Sequence, residues 1–145
     1  MRKFKKKKII IGYTTGVFDL FHIGHVNILK KAKSLCDRLI VGVSTDNLVK
    51  KYKNKSPVIK CSERIKILQT NIYPDYVIKQ TSLDKFKTWK KLKFDIMFVG
   101  DDWYHTKKWH QIDKKFREVG VKIIYLPYTK KISSTKINNI LKKFR

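Results

Sequence analysis

Cysteine is nearly absent from the chain: two among 145 residues, Cys36 and Cys61, with no CxxC pairing. That usage offers no zinc site and suits a reducing compartment. Long apolar runs are missing too, none approaching the roughly 20 residues needed to cross a bilayer. The N-terminus, Met1 to Lys8, is basic and lacks the apolar centre of a signal peptide. A cytoplasmic protein without membrane insertion is expected. Acidic residues are also scarce, 11 Asp and Glu against 35 Lys and Arg, for a net charge of +24. Such a balance raises nucleic-acid binding. The lysines, however, are scattered over the whole chain, and no helix-turn-helix, zinc-finger or RNP-type aromatic motif accompanies them. They read as solvated faces with weak, non-specific attraction for polyanions, so no specific nucleic acid is expected as a partner.

What is present is enough for one complete core. With 42% hydrophobic residues and no repeat, linker or low-complexity block, the chain reads as a basic disordered leader over 1–8 and one domain over 9–145. Short β-rich apolar runs at 9–14, 38–44, 76–78, 94–100 and 121–126 predict five strands. Amphipathic segments from Gly24, from Thr45 to about Tyr52, from Ser62, over 83–92, near 111–119 and from Ser133 to Phe144 predict helices between and after them. Residues 50–57 read as a mobile basic loop. Alternation at this spacing predicts an α/β, Rossmann-like three-layer fold with a five-stranded parallel sheet and helices on both faces. Ligands of such sheets sit beyond the strand carboxyl ends where strand order reverses. Thr14-Thr15-Gly16 and Gly100-Asp101-Asp102 directly follow strands and are expected to face one another there.

The stretch from Gly16 to His25 joins a strand to a helix and carries two histidines three residues apart. A helix start offers unpaired N–H groups and the positive end of the dipole, which suits phosphate. Gly16 and Gly24 permit close backbone approach; His22 and His25 supply donors. Zinc is disfavoured, because HxxH is too close-set for the usual helical i, i+4 pair and no third ligand accompanies it.

This stretch resembles the GxFDxxHxGH signature of the cytidylyltransferase branch of the nucleotidyltransferases. Further segments resemble that family in the same order: Lys53-Asn54-Lys55 with Glu63-Arg64, then Gly100-Asp101-Asp102-Trp103, then Ile132 to Ile137. The last two point toward glycerol-3-phosphate cytidylyltransferases. The resemblance implies transfer of CMP from CTP to a small alcohol phosphate, glycerol 3-phosphate first, with pyrophosphate leaving. Choline phosphate, ethanolamine phosphate and adenylyl transfer are the alternatives. A weakly active nucleotide- or polyanion-binding protein is the reading from another class.

The resemblance also implies roles. His22, His25, Lys53 and Asp19 form the catalytic group, with Asp19 orienting the histidines, helping to hold Mg²⁺ or capping the turn. CTP falls to Thr15, Gly16, Phe18, Gly24, Gly100, Asp102, Trp103, Thr129, Ile132, Ser133, Ser134 and Thr135. Gly100 and Asp102 take the ribose, Trp103 lines the base pocket or caps the sheet, and the hydroxyls from Ser133 hold the outer phosphates. Lys55 and Arg64 meet acceptor or phosphate. Mg²⁺ comes with the CTP, and members of this size pair as homodimers near Tyr73 to Val77. Two departures stand out: Tyr128 and Ile72 occupy positions where the family writes arginine.

Overall fold

The computed structural model describes residues 5–104, 106–130 and 132–144; residues 1–4 of the expected leader lie outside them. Five strands, β1 (Ile11–Gly16), β2 (Arg38–Ser44), β3 (Tyr76–Gln80), β4 (Ile96–Gly100) and β5 (Lys122–Leu126), form one parallel sheet in the order β3-β2-β1-β4-β5. The order reverses between β1 and β4, where Thr14 is in register with Phe98. The two polar clusters expected to meet do lie on these neighbouring strand ends.

Alternation along the strands sorts the core into two layers. Leu39, Val41 and Val43 of β2 and Phe98 of β4 face one cluster, built with Leu29 and Ala32 of α1 (Ile23–Ser34) and Leu68 of α3 (Cys61–Gln69). Tyr13, Met97 and Val99 face the other, with Phe86 and Trp89 of α4 (Lys85–Leu92) and Trp109 and Phe116 of α5 (Lys107–Glu118). Burial on both faces explains why these strands read as unbroken apolar runs. Two further helices, α2 (Asp46–Lys53) and α6 (Ser134–Lys142), flank the carboxyl end of the sheet. Among the described residues, no helix is long and apolar enough to cross a membrane.

Side-chain caps set most helix starts. Thr45, Asp84, Thr106 and Ser133 each accept from the backbone N–H three residues on. Thr106 therefore starts α5 four residues before the expected Gln111, and Asp84 delays α4 past Leu83. The loop expected over 50–57 is helical through Lys53, where Asn54 (φ 54°) adopts the left-handed conformation and stops it. At the opposite end of the sheet, aspartates hold the strand starts. Asp37 accepts from Ile10 N at 2.7 Å, Asp95 from Ile11 N at 2.9 Å and Asp75 from Leu39 N at 2.8 Å. Those carboxylates are taken up by the strand starts.

Candidate active site

A cavity of about 510 Å³ opens at the carboxyl ends of the strands. From the β1 exit it is lined by Thr15, Gly16, Phe18, Asp19 and, one turn into α1, His25. From β4 come Gly100, Asp102 and Trp103; from the end of α2, Lys53 and Lys55; from α6, Ser134 and Thr135.

The histidine pair is built as a reciprocal cap. His22, in extended conformation at the head of α1, accepts from Gly24 N through Nδ1 at 3.0 Å. Its own N–H donates to His25 Nδ1 at 3.2 Å. Two imidazoles thus do what Ser or Thr and Glu do in the usual capping box. With both Nδ1 atoms accepting, each neutral ring carries its proton on Nε2 and has one free donor. The rings stack at 3.9 Å between centroids, and His25 also stacks on Phe21 at 5.4 Å. A Cβ on Gly24 would lie 2.8 Å from His22 Cε1, so the pair needs glycine there. Burial lowers the pKa of His22; burial, then the charge of His22, brings that of His25 from 6.5 to about 3, with Asp19 opposing.

Before the pair, Phe18 (φ 55°) and Leu20 (φ 47°) both take left-handed backbone, which costs on the order of 1–3 kcal/mol each and persists only where neighbours enforce it. Asp19, between them, supplies the enforcement. Its carboxylate accepts from Val58 N at 2.7 Å, Ile59 N at 2.9 Å and Leu20 N at 3.1 Å, and its carbonyl accepts from Ser134 Oγ. Of the three roles considered for Asp19, the geometry favours the turn anchor.

Arg64 is a correction. Expected to reach phosphate, its side chain is instead fully buried, donating to Ile59 O at 2.8 Å, Val17 O at 2.7 Å, Ser44 O at 2.8 Å and Asp46 at 2.6 Å. Four bonds into the protein leave it no reach toward a ligand, and it is not part of the cavity wall. Ser133 is likewise engaged, its Oγ accepting from Lys136 N at 3.0 Å; Thr129 accepts from Asn27 Nδ2 at 2.9 Å. These two, with His22, Gly24 and Ile132, stand outside the lining, while Ile132 packs beside Gly24. Gly100 lines the cavity beside Tyr128. A Cβ there would meet the Tyr128 ring at 2.7 Å, so the missing side chain makes room for tyrosine. Tyr128 hydrogen-bonds Asp102; burial first, then Asp102, push the phenol up to about 12.

Lys53 and Lys55 overhang the cavity because Asn54 turns the chain there. Burial, then Lys55, lower the pKa of Lys53. The sequence reading missed Gln80, Lys85, Lys108 and Trp109, which also line the cavity. Gln80 ends β3 and was findable by the strand-end rule; two lysines in so lysine-rich a chain carry no signal.

A five-stranded parallel sheet with a helix-start histidine pair at its switch point defines a nucleotidyltransferase site. The family model described as cytidylyltransferase-like matches residues 13–140, and the chain belongs to that family. It is 34% identical to FAD synthase of Pyrococcus abyssi (strain GE5 / Orsay) over 142 residues, covering 96% of this chain and 93% of that one. It is 40% identical to glycerol-3-phosphate cytidylyltransferase of Bacillus spizizenii (strain ATCC 23059 / NRRL B-14472 / W23) over 134 residues, covering 90% and 94%. Among solved structures, the lipopolysaccharide core biosynthesis protein of Thermoplasma volcanium GSS1 aligns with a TM-score of 0.70 at 28% identity, over 86% of this chain and 100% of that one.

Two outcomes are expected. Replacing Arg64 by methionine leaves three carbonyls and Asp46 without their donor and costs about 3 kcal/mol, seen as a melting-temperature drop of roughly 10 °C by circular dichroism. For His25, the unfolded imidazole gains its proton near 6.5 while the folded one holds out to about 3. Between those values the unfolded state binds more protons, so stability is present above pH 6.5 and lost as pH falls toward 3. Denaturant midpoints against pH check this, with a shallower slope in His25→Gln.

Proposed function

We propose that the chain transfers a cytidylyl group from CTP to glycerol 3-phosphate, forming CDP-glycerol and releasing pyrophosphate. The observation that carries the reading is the reciprocally capped histidine pair, whose Nε2–H donors stand at the positive end of α1. An acceptor phosphate oxygen attacks the α-phosphorus, the new P–O bond forms in line, and the bond to the β-phosphate oxygen breaks. No covalent enzyme intermediate is required, so the protein contributes position and charge stabilisation. His25, with His22 stacked on it, donates to phosphate oxygens as charge builds on them. Lys53 and Lys55 offset the meeting of two anions, Ser134 and Thr135 receive the pyrophosphate end, and Asp102 accepts from ribose once Tyr128 yields it.

The family implies Mg²⁺ on the triphosphate. Among the described residues no group of three or more His, Cys, Asp or Glu could hold a metal ion, and the Asp19 carboxylate is filled by amides. The chain fits an ion coordinated by phosphate oxygens and water, which would neutralise the leaving pyrophosphate.

The two relatives named above differ in activity, and the choice between acceptors rests on this chain's own features. The segments Gly100 to Trp103 and Ile132 to Ile137 favour glycerol 3-phosphate. Pairing as a homodimer is part of the proposal: β3 is an edge strand, and Ile72 before it and Tyr76 at its start are 84% and 58% exposed. Sedimentation of the wild type and of Tyr76→Lys tests it, the variant being expected as monomer.

The deciding experiment is pyrophosphate release from CTP or ATP with glycerol 3-phosphate, choline phosphate, ethanolamine phosphate or riboflavin 5′-phosphate. CTP with glycerol 3-phosphate is expected to be fastest, and His25→Ala to lower its rate by about 10²–10³. Faster release from ATP with the flavin, or a rate that His25→Ala leaves intact, overturns the reading.

A further inference from the structure

The cavity wall at the β4 exit carries a side chain that the family's sequence pattern does not put there. Gly100, Asp102 and Tyr128 line that wall together. A Cβ built on Gly100 would lie 2.7 Å from Cε2 of Tyr128, 2.9 Å from its Cζ and 2.9 Å from its hydroxyl oxygen. The hydroxyl end of the ring therefore fills the notch that the glycine leaves. From there the phenol donates to the Asp102 carboxylate. Burial is the larger influence on both groups: it pushes the phenol up to about 12 and raises the Asp102 carboxyl, while the bond from Tyr128 lowers the latter. At neutral pH the phenol thus keeps its proton and remains a donor.

The ring contributes little to the core. Tyr128 is 50% exposed and belongs to neither of the two buried clusters. The chain beside it is tethered: Thr129 accepts from Asn27 Nδ2 at 2.9 Å, and Ser134 Oγ donates to the Asp19 carbonyl. With the backbone held to α1 and the turn before it, rotation of the half-exposed side chain between rotamers is enough to empty the notch.

That notch is where the cytidylyl-transfer reading puts the ribose, with Gly100 allowing close approach and Asp102 accepting from a sugar hydroxyl. A phenol O–H and a sugar O–H are the same kind of donor to a carboxylate. Over Gly100 the ring leaves too little space for a methyl group, so ring and ribose exclude one another. We infer that Tyr128 is an intramolecular competitor for the nucleotide: its hydroxyl stands in for a ribose hydroxyl on Asp102, and the nucleoside enters only as the ring turns out. The inference rests on the nucleotidyl-transfer reading for the class of ligand and holds for CTP or ATP alike. Its consequence is an affinity below what the open site would give. The apparent dissociation constant is the intrinsic one divided by the fraction of molecules with the ring turned out.

Calorimetric titration of CTP, and separately of ATP, into the wild type, Tyr128→Phe and Tyr128→Ala tests this without any acceptor. Phenylalanine keeps the ring and removes the bond to Asp102, whereas alanine clears the notch. The nucleotide that the wild type binds is expected to bind about fivefold more tightly to Tyr128→Phe and about tenfold or more to Tyr128→Ala. Weaker binding to either variant makes the tyrosine a contact for the nucleotide and overturns the inference, as does an unchanged affinity in both. Fluorine NMR of 3-fluorotyrosine at position 128 follows the ring itself. Saturating nucleotide is expected to move its signal to that of a solvent-exposed ring, and an unmoved signal sinks the proposal. Turnover of CTP and glycerol 3-phosphate with unchanged affinities removes the inference and leaves the cytidylyl-transfer reading standing. Tighter binding in both variants without turnover of any acceptor does the reverse, and binding of neither nucleotide by any of the three proteins overturns both.

Discussion

The guanidinium of Arg64 is the joint on which the open end of this sheet depends. One side chain with no solvent exposure holds Val17 at the exit of β1, Ser44 at the exit of β2 and Ile59 at the approach to α3, with Asp46 balancing its charge. A buried cation is tolerated only when paired and fully hydrogen-bonded, and it then penalises every arrangement that separates its partners. Asp19 grips the same 58–59 segment from the other side through two amides. The left-handed conformations of Phe18 and Leu20 are held between these two anchors. Without them the chain would relax from that strained path, and the histidines that follow would lose their relation to the strand ends.

From that scaffold the electrostatics of the site follow. Burial lowers the pKa of both histidines, and the charge of His22 adds to the lowering at His25. Around them stand lysines that lack carboxylate partners, so positive charge collects at the rim of the cavity while its centre offers directed hydrogen bonds. Such an arrangement favours an anion that accumulates charge during reaction over one that is merely bound. Tyr128 adds a different element. It fills the space over Gly100 and holds Asp102, so a nucleoside must displace it or pack on it. Where a guanidinium would grip a phosphate through two parallel bonds, this chain has a ring and a hydroxyl. Lys85 of α4 and Lys108 of α5 line the same cavity as Tyr128.

Much of the fold was legible because each strand is short, apolar and bounded by turn residues, and β2 was readable to its end residues. The errors lay at strand ends, β1 running over Ile11–Gly16 rather than 9–14, and at helix starts, where a single hydroxyl or carboxylate such as Thr106 or Asp84 overrules periodicity. The histidine pair was readable because a helix start after a strand limits what two such residues can do. Arg64 was misread because its surroundings come from three distant segments. A buried structural arginine and a phosphate-gripping one have the same local sequence.

The sequence by itself determined the order of elements, the strand-to-helix junctions that face the switch point, and the residue types gathered there. Those properties are local, set by side-chain period, caps and turns. Only the tertiary structure decided which nitrogen of each histidine is free, that Asp19 is consumed by amides, that Tyr128 covers Gly100, and that Gln80, Lys85 and Lys108 line the same cavity. Each of these depends on which groups from remote strands exhaust one another's hydrogen bonds, and that becomes known only when the chain is closed.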